Sequence, residues 1–281
     1  MRLPYFMQTT VSAIKRTILR TVMRFLLYML LFSGTAVPVT IYQANSMNNL
    51  AGYGDTDFET NGELYIANQF IKPCHTIFDV GANKGEWTKT ILSFCPQATI
   101  HVFEPITFVF DILTKSLPTQ ANIILNNLAI SNRIGTVNFT VYDNNLYMTQ
   151  LSSIYRRNKD IEQSFNLSCH TLMVPTITID NYCQLNHITH IDYLKIDTEG
   201  AELDVLKGAH TYLQQRKIKV IQFEYGQTFL DANITLENIF RYLSDFDYKI
   251  YRILPDGLLE LPTWDTALEN YWYSNYLAIL Q

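Results

Sequence analysis

The chain of 281 residues is 48% hydrophobic and 17% charged, which supplies a large buried core and excludes a wholly disordered protein. Its net charge of −5 is uneven: Arg2, Lys15, Arg16, Arg20 and Arg24 precede Ala44 with no acidic residue among them, leaving 16 basic against 26 acidic residues beyond. The acidic body argues against a nucleic-acid phosphate backbone as partner, whereas the basic end suits an anionic membrane surface.

Residues 1–44 form a basic and hydrophobic N-terminal segment. Arg16, Arg20 and Arg24 recur every four residues and share one helical face. The apolar run Phe25–Tyr42 has about the minimum length of a membrane span, weakened by Ser33, Gly34, Thr35 and Pro38. It reads as an anchor, as a signal cleaved near Gly34 and Ala36, or as a peripheral or buried helix. Residues 11–42 are therefore the candidate for membrane association, and the protein is expected to be membrane-associated or cytoplasmic. Residues 45–60 are polar and read as a linker, and 61–281 as the folded domain.

Strand and helix alternate from Thr76. Strands are expected at 75–80, 100–103 and 123–125, with helices over 84–94 and 108–117 between them. Gly135–Tyr142 alternates with period two, as a half-exposed strand does, and 144–175 reads as irregular. Strands follow at 191–196, 220–225, 248–254 and 276–280, with helices after 203 and over 236–243. Such alternation predicts an α/β sandwich around a mainly parallel sheet. Cys74, Cys95, Cys169 and Cys183 form no Cys-x-x-Cys pair and read as free thiols.

Ligands of open α/β sheets bind at the carboxyl ends of the strands, where the notable residues of this chain fall. Asp79-Val80-Gly81-Ala82-Asn83-Lys84-Gly85 ends the first strand. Gly81 permits a tight turn and Gly85 a close backbone approach to a ligand. The spacing is not that of dinucleotide binders, and Asp79 would repel a diphosphate. It suits a cofactor bearing an amino acid, with Asp79 meeting the amino group and the helix start meeting the carboxylate. Glu104-Pro105 ends the second strand, where a carboxylate accepts both hydroxyls of a ribose. Asn127 and Ala129 follow the third strand, with Asn127 within reach of an adenine.

These motifs, followed by Gly135, the Ser152-Ser153 pair, Thr178–Asp180, LKIDTEGAELDVLKGA (Leu194–Ala209) and Phe223-Glu224, resemble the FkbM-type methyltransferases from about residue 60 onward. The resemblance implies a Rossmann-like class I methyltransferase fold, with a seven-stranded sheet covered by helices on both faces. It implies S-adenosylmethionine as cofactor and O-methylation of a hydroxyl on a sugar, lipid-linked or secondary-metabolite acceptor.

Methyl transfer to a hydroxyl requires an aligned nucleophile and a group that takes its proton. Asp197, Glu199 and Glu224 lie at the ends of the fourth and fifth strands of the parallel set and are the candidates. An alternative makes Asp197 and Glu224 ligands of a magnesium ion. Lys195 is unusual within an apolar strand, Glu202 reads as solvated surface, and Arg156, Arg157 and His170 fall in the irregular segment. Two rival classes remain: an oxidoreductase on a dinucleotide fold, and a membrane-tethered module that has kept only the fold.

Overall fold

The computed structural model describes residues 54–281, apart from 121, 143–147 and 165 and the side chains of 148 and 149. The candidate membrane segment lies outside the described residues, and no helix among those described is long and apolar enough to cross a membrane.

In chain order the elements are α1 (Glu63–Ile66, continued by a wider turn over Ala67–Ile71), β1 (Thr76–Val80), α2 (Glu86–Ile91), β2 (Thr99–Phe103), α3 (Thr107–Ser116), β3 (Ile123–Asn126), β4 (Ala129–Ile130), β5 (Gly135–Tyr142), α4 (Lys159–Ser164) and β6 (Cys169–Ile177). The second half contains α5 (Ile179–Leu185), β7 (Ile191–Ile196), α6 (Glu202–Gly208), α7 (His210–Gln214), β8 (Ile218–Tyr225), α8 (Thr228–Asp231), α9 (Leu236–Ser244), β9 (Tyr248–Leu254), β10 (Gly257–Leu261) and β11 (Ser274–Leu280).

The main sheet runs β10-β9-β11-β8-β7-β1-β2-β3. The neighbours from β8 to β3 are parallel, and β11 inserts antiparallel between β8 and β9. Successive side chains of a strand enter opposite cores, as the pleat requires. Ile77 and Tyr193 join Ile66, Ile91 and Leu113 on one face, while Phe78 and Leu194 join Tyr182, Leu206 and Ile239 on the other. β7 is buried along its whole length, as a central parallel strand is, and its Asp192 and Lys195 are buried with it.

The sheet has eight strands rather than the seven expected. The addition is β10, which pairs with β9 across a tight turn at Pro255-Asp256. Proline followed by aspartate between two apolar runs is a hairpin signal, and the strand expectations above do not use it. A second correction concerns 144–175. It contains α4 and most of β6, and β6 pairs antiparallel with β5 and parallel with β4 in a separate three-stranded sheet. Pro175 masked this strand, because proline argues against a sheet interior. It is tolerated here because only β5 flanks β6 at that position.

The chain leaves β1 for β2 on one side and later enters β7 on the other, so the sheet reverses its order beside β1. That switch point opens a crevice at the carboxyl ends of β1, β2, β7 and β8.

Candidate active site

The crevice is a cavity of about 570 Å³. Its floor begins at the β1–α2 turn. Gly81 has φ of 85°, and the N–H groups of Gly81 and Ala82 both donate to the Phe103 carbonyl, at 3.1 and 3.0 Å. Gly81, Ala82 and Asn83 line the cavity. Gly85 does not: its φ of 82° starts α2, and a Cβ there would lie 2.6 Å from Leu113 Cδ1, so the glycine serves helix packing rather than approach to a ligand.

Asp79 is fully buried below the cavity and is not part of its wall. Its Oδ2 accepts the Thr88 hydroxyl at 2.5 Å, and its Oδ1 has no hydrogen-bond partner among the described residues. Burial raises its carboxyl above the ordinary range against the pull of Lys195. Direct contact with a cofactor amino group is therefore not what this position displays. Asn83 Oδ1 and Trp87 Nε1, both on lining residues, are likewise buried without partners among the described residues.

Glu104, at the end of β2, faces the cavity with Pro105. The Asn83 N–H donates to its Oε2 at 3.0 Å and the Ile106 N–H to its Oε1 at 2.8 Å. Burial pushes this carboxyl up to about 7 against those two hydrogen bonds. Beyond it, Ile106, Leu128, Ala129, Ile130 and Phe139 make an apolar wall. Asn127 does not reach that wall: its amide donates to the Glu104 and Pro105 carbonyls, at 2.9 and 3.1 Å, and braces the turn from behind.

Asp197, Glu199 and Glu224 converge at the other end, each offering an oxygen within 4.8 Å of the others. Burial pushes the Asp197 carboxyl up, but Lys195, whose Nζ donates to Oδ2 at 2.7 Å, and a hydrogen bond with Glu224 hold it below the ordinary range. Burial and the charges of Asp197 and Glu199 drive Glu224 well above its ordinary value. Burial, opposed by Arg157, leaves Glu199 raised to about 6. Lys195 pairs with Asp197 and Arg157 with Glu199, so two of the three carboxylates already have a cation of the chain against them.

The loop carrying these groups is held by a residue that the sequence placed on the surface. Glu202 is 1% exposed and accepts from Thr198 N at 2.9 Å, Thr198 Oγ1 at 3.0 Å and Gly200 N at 3.0 Å. It fixes Glu199 and Gly200, both at positive φ, in the turn before α6. Arg157 is also buried and pairs with Glu199, whereas Arg156 is exposed on Glu162 and His170 is an exposed residue of β6 outside the cavity.

Other lining residues gave no warning in the sequence. Thr56, Asp57 and Phe58 lie in the segment read as linker, yet they line the cavity, and the Gly54 N–H donates to the Tyr273 carbonyl at 2.9 Å. Glu63 of α1 also lines it, braced by Asn61 Nδ2 at 2.8 Å and Gln222 Nε2 at 2.7 Å. The period-two strand was a signal for Phe139, but that pattern does not state which face is functional, and Tyr273 also lines the cavity. Lys195, noted only as unusual, lies 5.5 Å from the Trp87 ring centroid beneath the carboxylates.

Residues 79–250 match the profile of the Methyltransferase FkbM domain. The 2-O-methyltransferase NoeI of Sinorhizobium fredii is 27% identical over 187 residues, covering 65% of this chain and 76% of its own length. Methyltransferase 1 of Beauveria bassiana is 23% identical over 145 residues, 47% of this chain, and the match spans only 57% of that relative. Among solved structures, the plantazolicin methyltransferase BpumL in complex with SAH aligns with a TM-score of 0.41 at 12% identity, covering 79% of this chain and 82% of that one.

Proposed function

The chain belongs to the FkbM methyltransferase family, and we propose that it transfers a methyl group from S-adenosylmethionine to a hydroxyl of a sugar, a glycolipid or a secondary metabolite. The observation that carries this reading is one cavity with Glu104 over the Gly81 turn at one end and the Asp197, Glu199 and Glu224 carboxylates at the other. The name of NoeI, a 2-O-methyltransferase, supports oxygen as the atom methylated.

The residues fit this cofactor. Glu104 is held by two backbone N–H groups and retains lone pairs for ribose hydroxyls. Ile106, Leu128, Ile130 and Phe139 supply an apolar slot for an adenine. Asn83 Oδ1 and Trp87 Nε1 are an unpaired acceptor and an unpaired donor, the complement of an amino and a carboxylate group. Asp79 lies beneath the turn, bonded to the Thr88 hydroxyl, with Lys195 beside it in register. When bound, the cofactor supplies an electrophilic methyl group, so the chain has to hold the acceptor oxygen in line and take its proton. Glu199, whose affinity for a proton is raised toward neutrality, accepts the hydrogen bond of the acceptor hydroxyl and takes its proton. Asp197, held below the ordinary carboxylate range by Lys195, is the weaker base beside it.

Calorimetry with S-adenosylmethionine, S-adenosylhomocysteine and NADH tests the cofactor. Binding of NADH alone would sink the reading in favour of an oxidoreductase. Transfer of label from S-adenosyl-[methyl-³H]methionine to hydroxylated metabolite, glycan and lipid fractions then tests the acceptor class, and binding without any transfer would favour a non-catalytic module.

Two further outcomes are expected. Glu104→Ala removes the ribose partner and strands two N–H groups, so S-adenosylhomocysteine is expected to bind about tenfold more weakly or worse. Unchanged affinity by calorimetry would remove Glu104 from the ribose site. The pH profile of kcat/KM is expected to rise through a limb near 6 and level above it, because Glu199 must be deprotonated to act and its value is raised to about 6. A limb in the ordinary carboxylate range would point to a different base.

A further inference from the structure

We propose that Arg157 is a positioning residue that fixes the aim of the Glu199 carboxylate, tying it to the β5–β6 connection that walls the acceptor end. Its effect on turnover rests on Glu199 being the proton acceptor; its effect on Glu199 itself does not.

The Arg157 side chain is 3% exposed, although it lies in a connection rather than a regular element. Its Nη2 donates to Glu199 Oε2 at 2.7 Å, its Nε to the Leu151 carbonyl at 2.9 Å, and its Nη1 approaches Asp231 Oδ2 at 3.5 Å. The planar fork therefore joins three pieces of chain: the β5–β6 connection, the β7–α6 turn and α8. The connection is locked on both sides of this point. The Ser153 hydroxyl donates to the Thr198 carbonyl at 3.2 Å, and the Asn158 N–H donates to Asp231 Oδ1 at 2.9 Å. Gln150, Ser152 and Ile154 of the same connection line the cavity.

The backbone at Glu199 is already fixed, with φ of 56° and Glu202 bonded to Thr198 N and Gly200 N. What remains free is the side-chain torsion, and Arg157 holds it. The charged and titratable groups facing Glu199 are Arg157 from the connection, Asp197 and Lys195 from β7, and Glu224 from β8, with Asp231 of α8 behind Arg157. Lys195 is bonded to Asp197, so Arg157 is the cation that touches Glu199. Removing an adjacent cation favours the neutral acid and moves the titration upward.

The test reads Glu199 without an acceptor. The full chain is labelled with [¹³C]glutamate, and the Glu199 carboxyl resonance is assigned by its loss in Glu199→Gln. Because Arg157→Gln alone would leave Asp231 buried and unpaired, the variant is Arg157→Gln/Asp231→Asn. Its Glu199 titration is expected to move up by about one pH unit or more relative to wild type. Asp231→Asn alone leaves the guanidinium to Glu199 and is expected to move the titration level or downward. No upward movement in the double variant overturns the inference, as does an upward movement in Asp231→Asn as large as that in the double variant. Undiminished methyl transfer by Glu199→Gln would instead sink the base assignment while leaving the titration result standing.

Discussion

Glu199→Gln is expected to lower methyl transfer by about 10²–10⁴-fold while S-adenosylhomocysteine binds within about threefold of its wild-type affinity. The amide keeps the size of the side chain and can still accept from Arg157 Nη2, so the turn before α6 retains its shape. What disappears is the only member of the trio suited to take a proton near neutral pH. Lys195 holds Asp197 below the ordinary carboxylate range, and burial with the charges of Asp197 and Glu199 drives Glu224 well above it. Neither neighbour is matched to neutral pH as Glu199 is. The measurement is label transfer from S-adenosyl-[methyl-³H]methionine to the acceptor recovered in the fraction screen, with calorimetry on the same preparation. Turnover within a factor of a few of wild type would remove Glu199 as the base. A parallel collapse of cofactor affinity would mean that the substitution had disturbed the floor rather than the chemistry.

The separation between what the sequence disclosed and what it concealed follows from locality. The parallel strands were readable because burial on both faces forces largely apolar runs, interrupted in IDYLKI of β7 by Asp192 and Lys195. Gly81, Glu104, Asp197 and Glu224 were readable because strand ends in such a sheet are where ligands lie, and their register is set within a few residues of each motif. Asp79 and Asn127 show the limit of that logic. A strand-end position fixes the backbone but not whether the side chain turns up into the cavity or down against Thr88 or the Glu104 loop. Glu202 was misread, and Arg157 passed over, for a different reason. Their partners are Thr198, Gly200, Glu199 and Asp231, and a buried charge is recognisable only once those groups are assembled around it. Thr56–Phe58 carries no periodicity at all, and only its place in the cavity wall gives it a role.

Gly81→Ala is expected to damage both ends of the site at once. A Cβ at this position would lie 1.8 Å from the Asp197 carbonyl oxygen and 2.8 Å from its carbonyl carbon, and both atoms are backbone. The positive φ of 85° adds about 1–2 kcal/mol for a residue with a side chain. The turn cannot withdraw, because the Gly81 and Ala82 N–H groups are bonded to the Phe103 carbonyl. The β7 end cannot withdraw either, because the Asp197 N–H donates to the Val80 carbonyl at 2.9 Å. Relief therefore parts β1 from β7 where Glu104 and Asn83 meet the cofactor end and where Asp197 meets Lys195. S-adenosylhomocysteine affinity is expected to fall about 100-fold or more, a loss of roughly 2.7 kcal/mol, together with a lower Tm. Gly257→Ala is the control, since a Cβ there meets nothing within 4 Å. If Gly81→Ala matched that control in both calorimetry and thermal unfolding, the close apposition of the cofactor turn and the catalytic strand would not be what holds this site together.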